Sequence, residues 1–380
     1  MGIGAKVERV ISGRSESNGF FVRFLDGLSM VYGFAVKMRA VLYNKNILKS
    51  GRLSCRVVSV GNITAGGTGK TPVTMHVAQL LRDAGYSTVV ISRGYKGRAE
   101  NCGGIVSDTD TVLMGPEDSG DEPFMMAARL PGVPVLVGKD RLAMGRLAMK
   151  RFSPDVIVLD DGFQHRRLFR DMDIVLIDET SFRADMRLLP RGPLREPVSA
   201  LGRADLIVLT RSSGPSTPAI EILAGLAPGK PVFRSSHAPY VCGVFKDGAF
   251  AAGADQADDP SGMSRSFELL KKANVFVFSG IANNQAFQDM VAGMARAVVG
   301  EMAFPDHHHY TDADMNAIVG QAEKRSADFL VTTEKDYVKL NGKRIGSIGL
   351  VVIGIDMSFQ GQETAFAQCI QNMIAGKPHE

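Results

Sequence analysis

Residues 57-VVSVGNITAGGTGKT-71 read as a buried strand, Val57 to Val60, that runs through a glycine-rich turn into a helix opened by Thr71 and Pro72. Proline suits a first helical turn, where its missing N–H has no partner to lose. Gly66, Gly67 and Gly69 let the backbone turn its N–H groups inward on an anion. Lys70 adds a positive charge, and the Thr71 hydroxyl is placed to bind Mg²⁺. Thr64, Ala65, Gly66, Gly67, Thr68, Gly69, Lys70 and Thr71 together form a candidate cradle for the phosphates of ATP or a related nucleoside triphosphate. Thr64 stands where the strict P-loop pattern has glycine.

The chain has 380 residues, enough for two domains with a core each. Its 45% hydrophobic and 22% charged residues are those of a soluble globular protein. A net charge of +4 gives no argument for nucleic acid, and no obligate protein partner is inferred. The charge is unevenly placed, however. Residues 1–50 hold eight Lys/Arg against Glu8, Glu16 and Asp26, an excess that favours an anionic membrane surface. Cys55, Cys102, Cys242 and Cys369 are scattered without metal-site or disulfide spacing, and Met1 to Asn18 lacks a signal-peptide pattern. Both point to the cytoplasm.

Residues 20–43 are unusually apolar for a segment ahead of the first core strand. Their longest charge-free run, Gly27 to Val36, is about half of what a spanning helix needs. They read either as a helix packed on the core or as an amphipathic helix lying on a membrane. From Val57 strands and helices alternate, the pattern of a P-loop NTPase-like α/β fold with a doubly wound, mostly parallel sheet. The expected strands are 87–91, 111–114, 134–137, 156–159, 173–178 and 205–210, and the expected helices are 72–83, 123–130 and 140–152. A hairpin at Asp247-Gly248 and a linker over 253–266 then separate the halves. The predicted domains are 1–235, a P-loop domain that includes the apolar N-terminal helix; 236–266, hairpin and linker; and 267–380, a smaller α/β domain. In the last, strands 275–279, 329–332 and 350–355 alternate with helices 284–299 and one ending near Lys324.

The apolar strand 156–159 ends in Asp160 and Asp161. At that position in P-loop proteins a carboxylate holds the magnesium ion or its water shell, so Thr71, Asp160 and Asp161 are the candidate metal residues. Arg166, Arg167 and Arg170 follow directly and either grip a phosphorylated substrate or form a solvated face. His307, His308 and His309 are consecutive and cannot all face one ion, so they read either as an exposed loop cluster or as one histidine, with Asp306 as orienter, acting as a general base. Asp121 in 120-GDEP-123 is a further candidate for the nucleotide site. A kinase and a regulatory or assembly NTPase both fit the glycine loop; a separate domain carrying an Asp-His pair favours the kinase.

Eight stretches in one order, 59-SVGNITAGGTGKTP-72, 92-SRGYKGR-98, 120-GDEP-123, 158-VLDDGFQHRRL-168, 189-LPRGPLREP-197, 279-SGIANNQAF-287, 305-PDHHHYT-311 and 331-VTTEKDYVKL-340, resemble the tetraacyldisaccharide 4'-kinase (lipid A 4'-kinase) family of Gram-negative bacteria. The resemblance covers nearly the whole chain and accounts for Thr64. It implies transfer of the ATP γ-phosphate to the 4'-hydroxyl of an acylated glucosamine disaccharide 1-phosphate, with Mg²⁺, by a peripheral protein at the cytoplasmic face of the inner membrane. It maps a catalytic dyad onto Asp121 and His307, and substrate-binding charges onto Arg195 and Glu196. On the predicted boundaries Asp121 and His307 belong to different domains and meet only when the cleft between them closes.

Overall fold

The computed structural model describes residues 19–212, 214, 217–245, 267–340 and 348–376. They form two compact units, and each is drawn from separated stretches of chain. The first takes the described residues within 1–93, 133–237 and 357–380; the second takes those within 94–132 and 238–356. The chain therefore changes unit at places other than the single expected boundary. Two of these crossings lie at short turns, where Gly94 and Gly132 take φ of 70° and 80°, with no polar linker to signal them. The Asp247-Gly248 hairpin, the 253–266 linker and the basic residues before Gly19 lie outside the described residues.

In the first unit seven strands run parallel in the order Val135–Val137, Thr88–Ser92, Val156–Asp160, Arg56–Asn62, Met172–Asp178, Leu206–Thr210, Val232–Arg234. Parallel strands are covered on both faces, which is why 89-VVI-91, 156-VIVL-159 and 206-LIVL-209 are unbroken apolar runs that all bury. The register sets Val60 beside Asp160 and Ser59 beside Asp173. The carboxyl ends of the P-loop strand and of the Asp160 strand thus share one edge, the edge where open parallel sheets bind ligands. The helix Lys70–Asp83 leaves that edge and packs Val73, Val77 and Leu81 inward. Its N-cap is Gly69 at φ 80°, which brings no capping side chain and leaves the first-turn N–H groups open to an anion.

The second unit holds a five-stranded sheet in the order Ala297–Ala303, Asn274–Ser279, Phe329–Thr333, Gly349–Ser358, Ser236–Phe245, parallel over its first four strands. Alternation along one central strand builds two cores. Phe276 and Phe278 join Met315, Ile318 and Leu350 on one face, while Val275 and Val277 join Phe287, Val291 and Ile353 on the other.

Several elements differ from expectation, among them the helix Pro218–Leu226 and the strands Val232–Arg234 and Ser236–Phe245, and three further cases have a clear local reading. Residues 111–114 carry only a single bridge, Val112 to Ser107, and the strand there is Gly104–Ser107. The helix expected over 284–299 stops at Ala292, capped by Gly293, and the β-branched Val298 and Val299 enter an edge strand. A helix over Glu363–Ala375, which the sequence pattern does not announce, returns to the first unit and buries Phe366, Ile370 and Ile374.

The N-terminal helix spans Gly19–Asn44, and only Leu25 and Ser29 are buried. Polar anchors run along its length: Ser29 Oγ donates to the Leu188 carbonyl at 2.9 Å, Tyr32 Oη to the Arg195 carbonyl at 2.8 Å, and Arg39 to the Gln164 carbonyl at 3.0 Å. Asp26 pairs with Arg191 at 3.3 Å. Phe20, Phe24, Met30, Val31 and Phe34 are exposed. The helix docks by hydrogen bonds and turns its apolar side outward, the reverse of a core helix.

Gly61, in the P-loop strand, lies against the backbone of Phe163; a Cβ there would come within 2.6 Å of the Phe163 Cβ and 2.8 Å of its nitrogen. Gly61→Ala is expected to destabilise the first unit by about 1–3 kcal/mol, the usual cost of overpacking. Urea denaturation checks this; an unchanged midpoint would show that the P-loop strand and the Phe163 loop after the neighbouring strand are not in close contact.

Candidate active site

The glycine loop 64–71, the candidate phosphate cradle, is braced from outside its own sequence. Ala65 N–H donates to the Pro193 carbonyl and Arg195 N–H to the Ile63 carbonyl, both at 2.7 Å, and Thr64 bridges Leu194. The proline-rich loop 188–197 is thereby stitched to the glycine loop. Asn62, at the strand's end, donates to Thr68 Oγ1 at 2.9 Å. Arg211, held by Asp178, donates to the Gly67 carbonyl at 3.0 Å. Neither Asn62 nor Arg211 stands out as a site residue in the sequence. The signal for Arg211 is its place immediately after the strand Leu206–Thr210, on the ligand-binding edge.

The two carboxylates divide their work. Asp160 is buried and accepts hydrogen bonds from Thr74 Oγ1 at 3.1 Å and Ser92 Oγ at 2.9 Å. Asp161 turns away, with φ at 51°. Its carboxylate lies 3.8 Å from Lys70 Nζ and 2.9 Å from an Arg195 guanidinium nitrogen. Burial works against its charge, but Lys70 and then Arg195 outweigh burial and hold the Asp161 carboxyl below its ordinary range. The Thr71 hydroxyl stands in the helix turn that begins with Lys70.

The other basic candidates are engaged in structure. Arg166 donates to the Ala40 carbonyl at 3.2 Å and to Asn44 Oδ1 at 2.6 Å, fastening the end of the N-terminal helix. Arg167 is exposed and pairs with Asp140 at 2.9 Å, and Arg170 pairs with Asp173 at 2.8 Å. Glu196 is buried against Arg203, at 2.9 Å and 3.1 Å.

The second unit brings Asp121 and His307 together. Asp121 is the first residue of the helix Asp121–Arg129, and its Oδ2 lies 3.0 Å from His307 Nδ1. Both belong to one unit, so no domain closure is needed for them to meet, contrary to the expectation from sequence; the stretch 94–132 carries Asp121 there. His307 takes φ of 63°, the left-handed conformation that is strained for a side chain of its size. Burial raises the Asp121 carboxyl, but the His307 hydrogen bond and the Lys339 charge pull it below its usual value. Asp306 is not the orienter expected of it. It lies 3.8 Å from His307 Nε2, beyond hydrogen-bond reach. His308 pairs instead with Asp314 at 3.1 Å and stacks on Phe304, and His309 is exposed. Among the described residues no cluster of three or more His, Cys, Asp or Glu is arranged to hold a metal.

Known proteins share both the sequence and the fold. The family described as Tetraacyldisaccharide-1-P 4'-kinase matches residues 21–375. The tetraacyldisaccharide 4'-kinase of Desulfatibacillum aliphaticivorans is 38% identical over 356 residues, covering 93% of this chain and 94% of that one. That of Syntrophus aciditrophicus (strain SB) is 39% identical over 356 residues, with 90% and 91% covered. The crystal structure of the "apo" form of LpxK from Aquifex aeolicus in complex with ATP has a TM-score of 0.71 at 31% identity, covering 93% of this chain and 99% of that one. Matched over nearly its whole length in sequence and in fold, this chain belongs to the tetraacyldisaccharide 4'-kinase family.

Proposed function

We propose that the chain transfers the γ-phosphoryl group of ATP to the 4'-hydroxyl of an acylated glucosamine disaccharide 1-phosphate, with the cradle 64–71 holding the donor and the Asp121–His307 pair acting on the acceptor. The observation that carries the residue assignment is the 3.0 Å contact between His307 Nδ1 and Asp121 Oδ2. A sugar hydroxyl is a poor nucleophile at neutral pH, and a positioned carboxylate–imidazole pair takes its proton as the oxygen attacks the γ-phosphorus and ADP leaves. A regulatory NTPase needs no such pair. Lys70 and the first-turn N–H groups neutralise charge on the phosphates. Arg195 and Glu196 are proposed to shape the substrate side through the loop 188–197, with Arg166 and Arg167 bordering it.

Thr71, Asp160 and Asp161 offer the hard oxygen donors that suit Mg²⁺, which uses one or two carboxylates and substrate phosphates rather than an all-protein cage. Asp160 and Asp161 end the strand that pairs with the P-loop strand, so these oxygens lie on the cradle's own edge of the sheet. When bound, Mg²⁺ would offset charge on the phosphate oxygens. Thr71 and the two aspartates are the residues that would hold it.

The helix Gly19–Asn44 is proposed to lie on the cytoplasmic face of the inner membrane. It is long and apolar enough to cross a bilayer by length and composition. Its hydrogen-bonded side, however, is fixed to the first unit from Asp26 to Asn44, which favours lying over spanning.

Lys70→Ala is expected to lower turnover by at least about 10²-fold, as removal of one transition-state charge partner does; wild-type kinase activity would refute the cradle. Asp121→Asn and His307→Ala should each lower turnover by roughly 10²–10⁴-fold. Because neither residue belongs to the cradle 64–71, nucleotide affinity should hold. The double variant should be scarcely worse than the worse single one, and multiplicative losses would show that the two do not act together. Replacing Phe20, Phe24, Val31 and Phe34 together with serine should shift the protein from membrane to soluble fractions. High salt should release part of the wild type. Retention of the substituted protein on membranes would remove the helix as the anchor.

A further inference from the structure

Apart from the Lys339 charge beside Asp121, the stretch 331-VTTEKDYVKL-340 has no role in the function proposed above, yet it packs against the pair. After the strand Phe329–Thr333, Thr333 caps the short helix Glu334–Tyr337. The helix is pinned by Asp336, which is fully buried and accepts hydrogen bonds from Thr333 Oγ1 at 2.7 Å and Gly280 N–H at 2.9 Å. This fixes where Lys335 can reach. Its ammonium lies 3.4 Å from His307 Nε2, 3.1 Å from Asp306 Oδ1 and 3.5 Å from Glu122 Oε1.

We propose that Lys335 is a positioning residue that sets the tautomer of His307: the ammonium donates to Nε2, so the neutral ring carries its one proton on Nδ1 and gives it to Asp121. The inference rests on reading Asp121 and His307 as the acceptor-activating pair. An ammonium has three donors and no acceptor, so an N–H on Nε2 would face the donors of Lys335 rather than an acceptor. Asp306 is 3.8 Å from Nε2 and already accepts from Lys335. A doubly protonated ring would put a second positive charge beside the first.

The charged groups around the ring all fit this arrangement. Asp121 accepts at Nδ1, with Lys339 a further 3.9 Å from its Oδ2 and itself paired with Asp336 at 2.7 Å. Asp306 and Glu122 hold the Lys335 charge in place, and Tyr95 meets the imidazole edge-on with ring centres 5.7 Å apart. His307 is thereby kept as a donor to Asp121, unable to flip or exchange its proton between nitrogens without losing one partner.

The test is ¹⁵N NMR of the full-length protein labelled at histidine, together with steady-state kinetics of Lys335→Met and Lys335→Arg. In the wild type at neutral pH, His307 should show the Nδ1–H tautomer. Lys335→Met should release it to a mixture with Nε2–H or to the imidazolium, move the acid limb of the kcat profile to higher pH, and lower kcat by about 10–100-fold, the scale of one charge-assisted hydrogen bond. The KM for ATP should be unchanged. Lys335→Arg, which keeps the donors and the charge, should retain the tautomer and recover most of the turnover. A wild-type His307 carrying its proton on Nε2, or a Lys335→Met spectrum and pH profile identical to wild type, would overturn the proposal. The tautomer is read without substrate. An absence of kinase activity in the wild type would therefore count against the acceptor assignment, while the NMR spectra would still decide the role of Lys335.

Discussion

Asp161 is closed between Lys70 and Arg195, and the active surface of the first unit is tied to that junction. Lys70 belongs to the end of the glycine loop, Asp161 to the end of the neighbouring strand, and Arg195 to the proline-rich loop. The same Arg195 gives its N–H to Ile63 beneath the cradle and its carbonyl to Tyr32 of the N-terminal helix. Four segments distant in sequence are therefore held by one carboxylate and one arginine. Removing Asp161 would leave two partly buried cations, Lys70 and Arg195, without their shared counterpart, which costs far more than either pair itself contributes.

The second unit is organised in the same way around a different carboxylate. Asp121 begins a helix, a position where a negative charge is favoured by the helix dipole, and there it gathers His307 and Lys339. The buried Asp336, in the same short helix as Lys335, fixes that helix through Thr333 and Gly280 and so holds Lys335 beside the histidine. The strain at His307 is tolerated because its surroundings over-determine its conformation.

Legibility in the sequence depends on range. The cradle and the Asp160–Asp161 strand end are readable because each is local: an apolar run, a glycine turn, a carboxylate at a fixed offset. The resemblance to a kinase family supplies the pairing of Asp121 with His307, which lie 186 residues apart in sequence. What escapes is long-range accounting. Composition marks a boundary only where a polar linker is present, so the excursion 94–132, entered and left through single glycine turns, leaves no mark of its own. The helix expected over 284–299 ends early because Gly293 acts as a stop, where periodicity alone allows an interior glycine. The roles of Arg166 and Glu196 are also beyond periodicity, since a basic residue fastening a helix and one gripping a phosphate look alike in sequence.

The interleaving of the two units bears on how the protein is made. The first unit is completed by residues 357–376, where Phe359 stacks on Phe366 at 4.0 Å and both meet His76 on the helix Lys70–Asp83. Gln360 donates to the Ser212 carbonyl and Gln362 accepts from Arg234 N–H. A chain emerging from the ribosome therefore exposes the glycine loop early but cannot seal the layer behind it until this late segment has been translated. The first unit is therefore complete only when residues 357–376 have been added, after the whole of the second unit has been synthesised, so the order of synthesis and the order of completion of the two units differ.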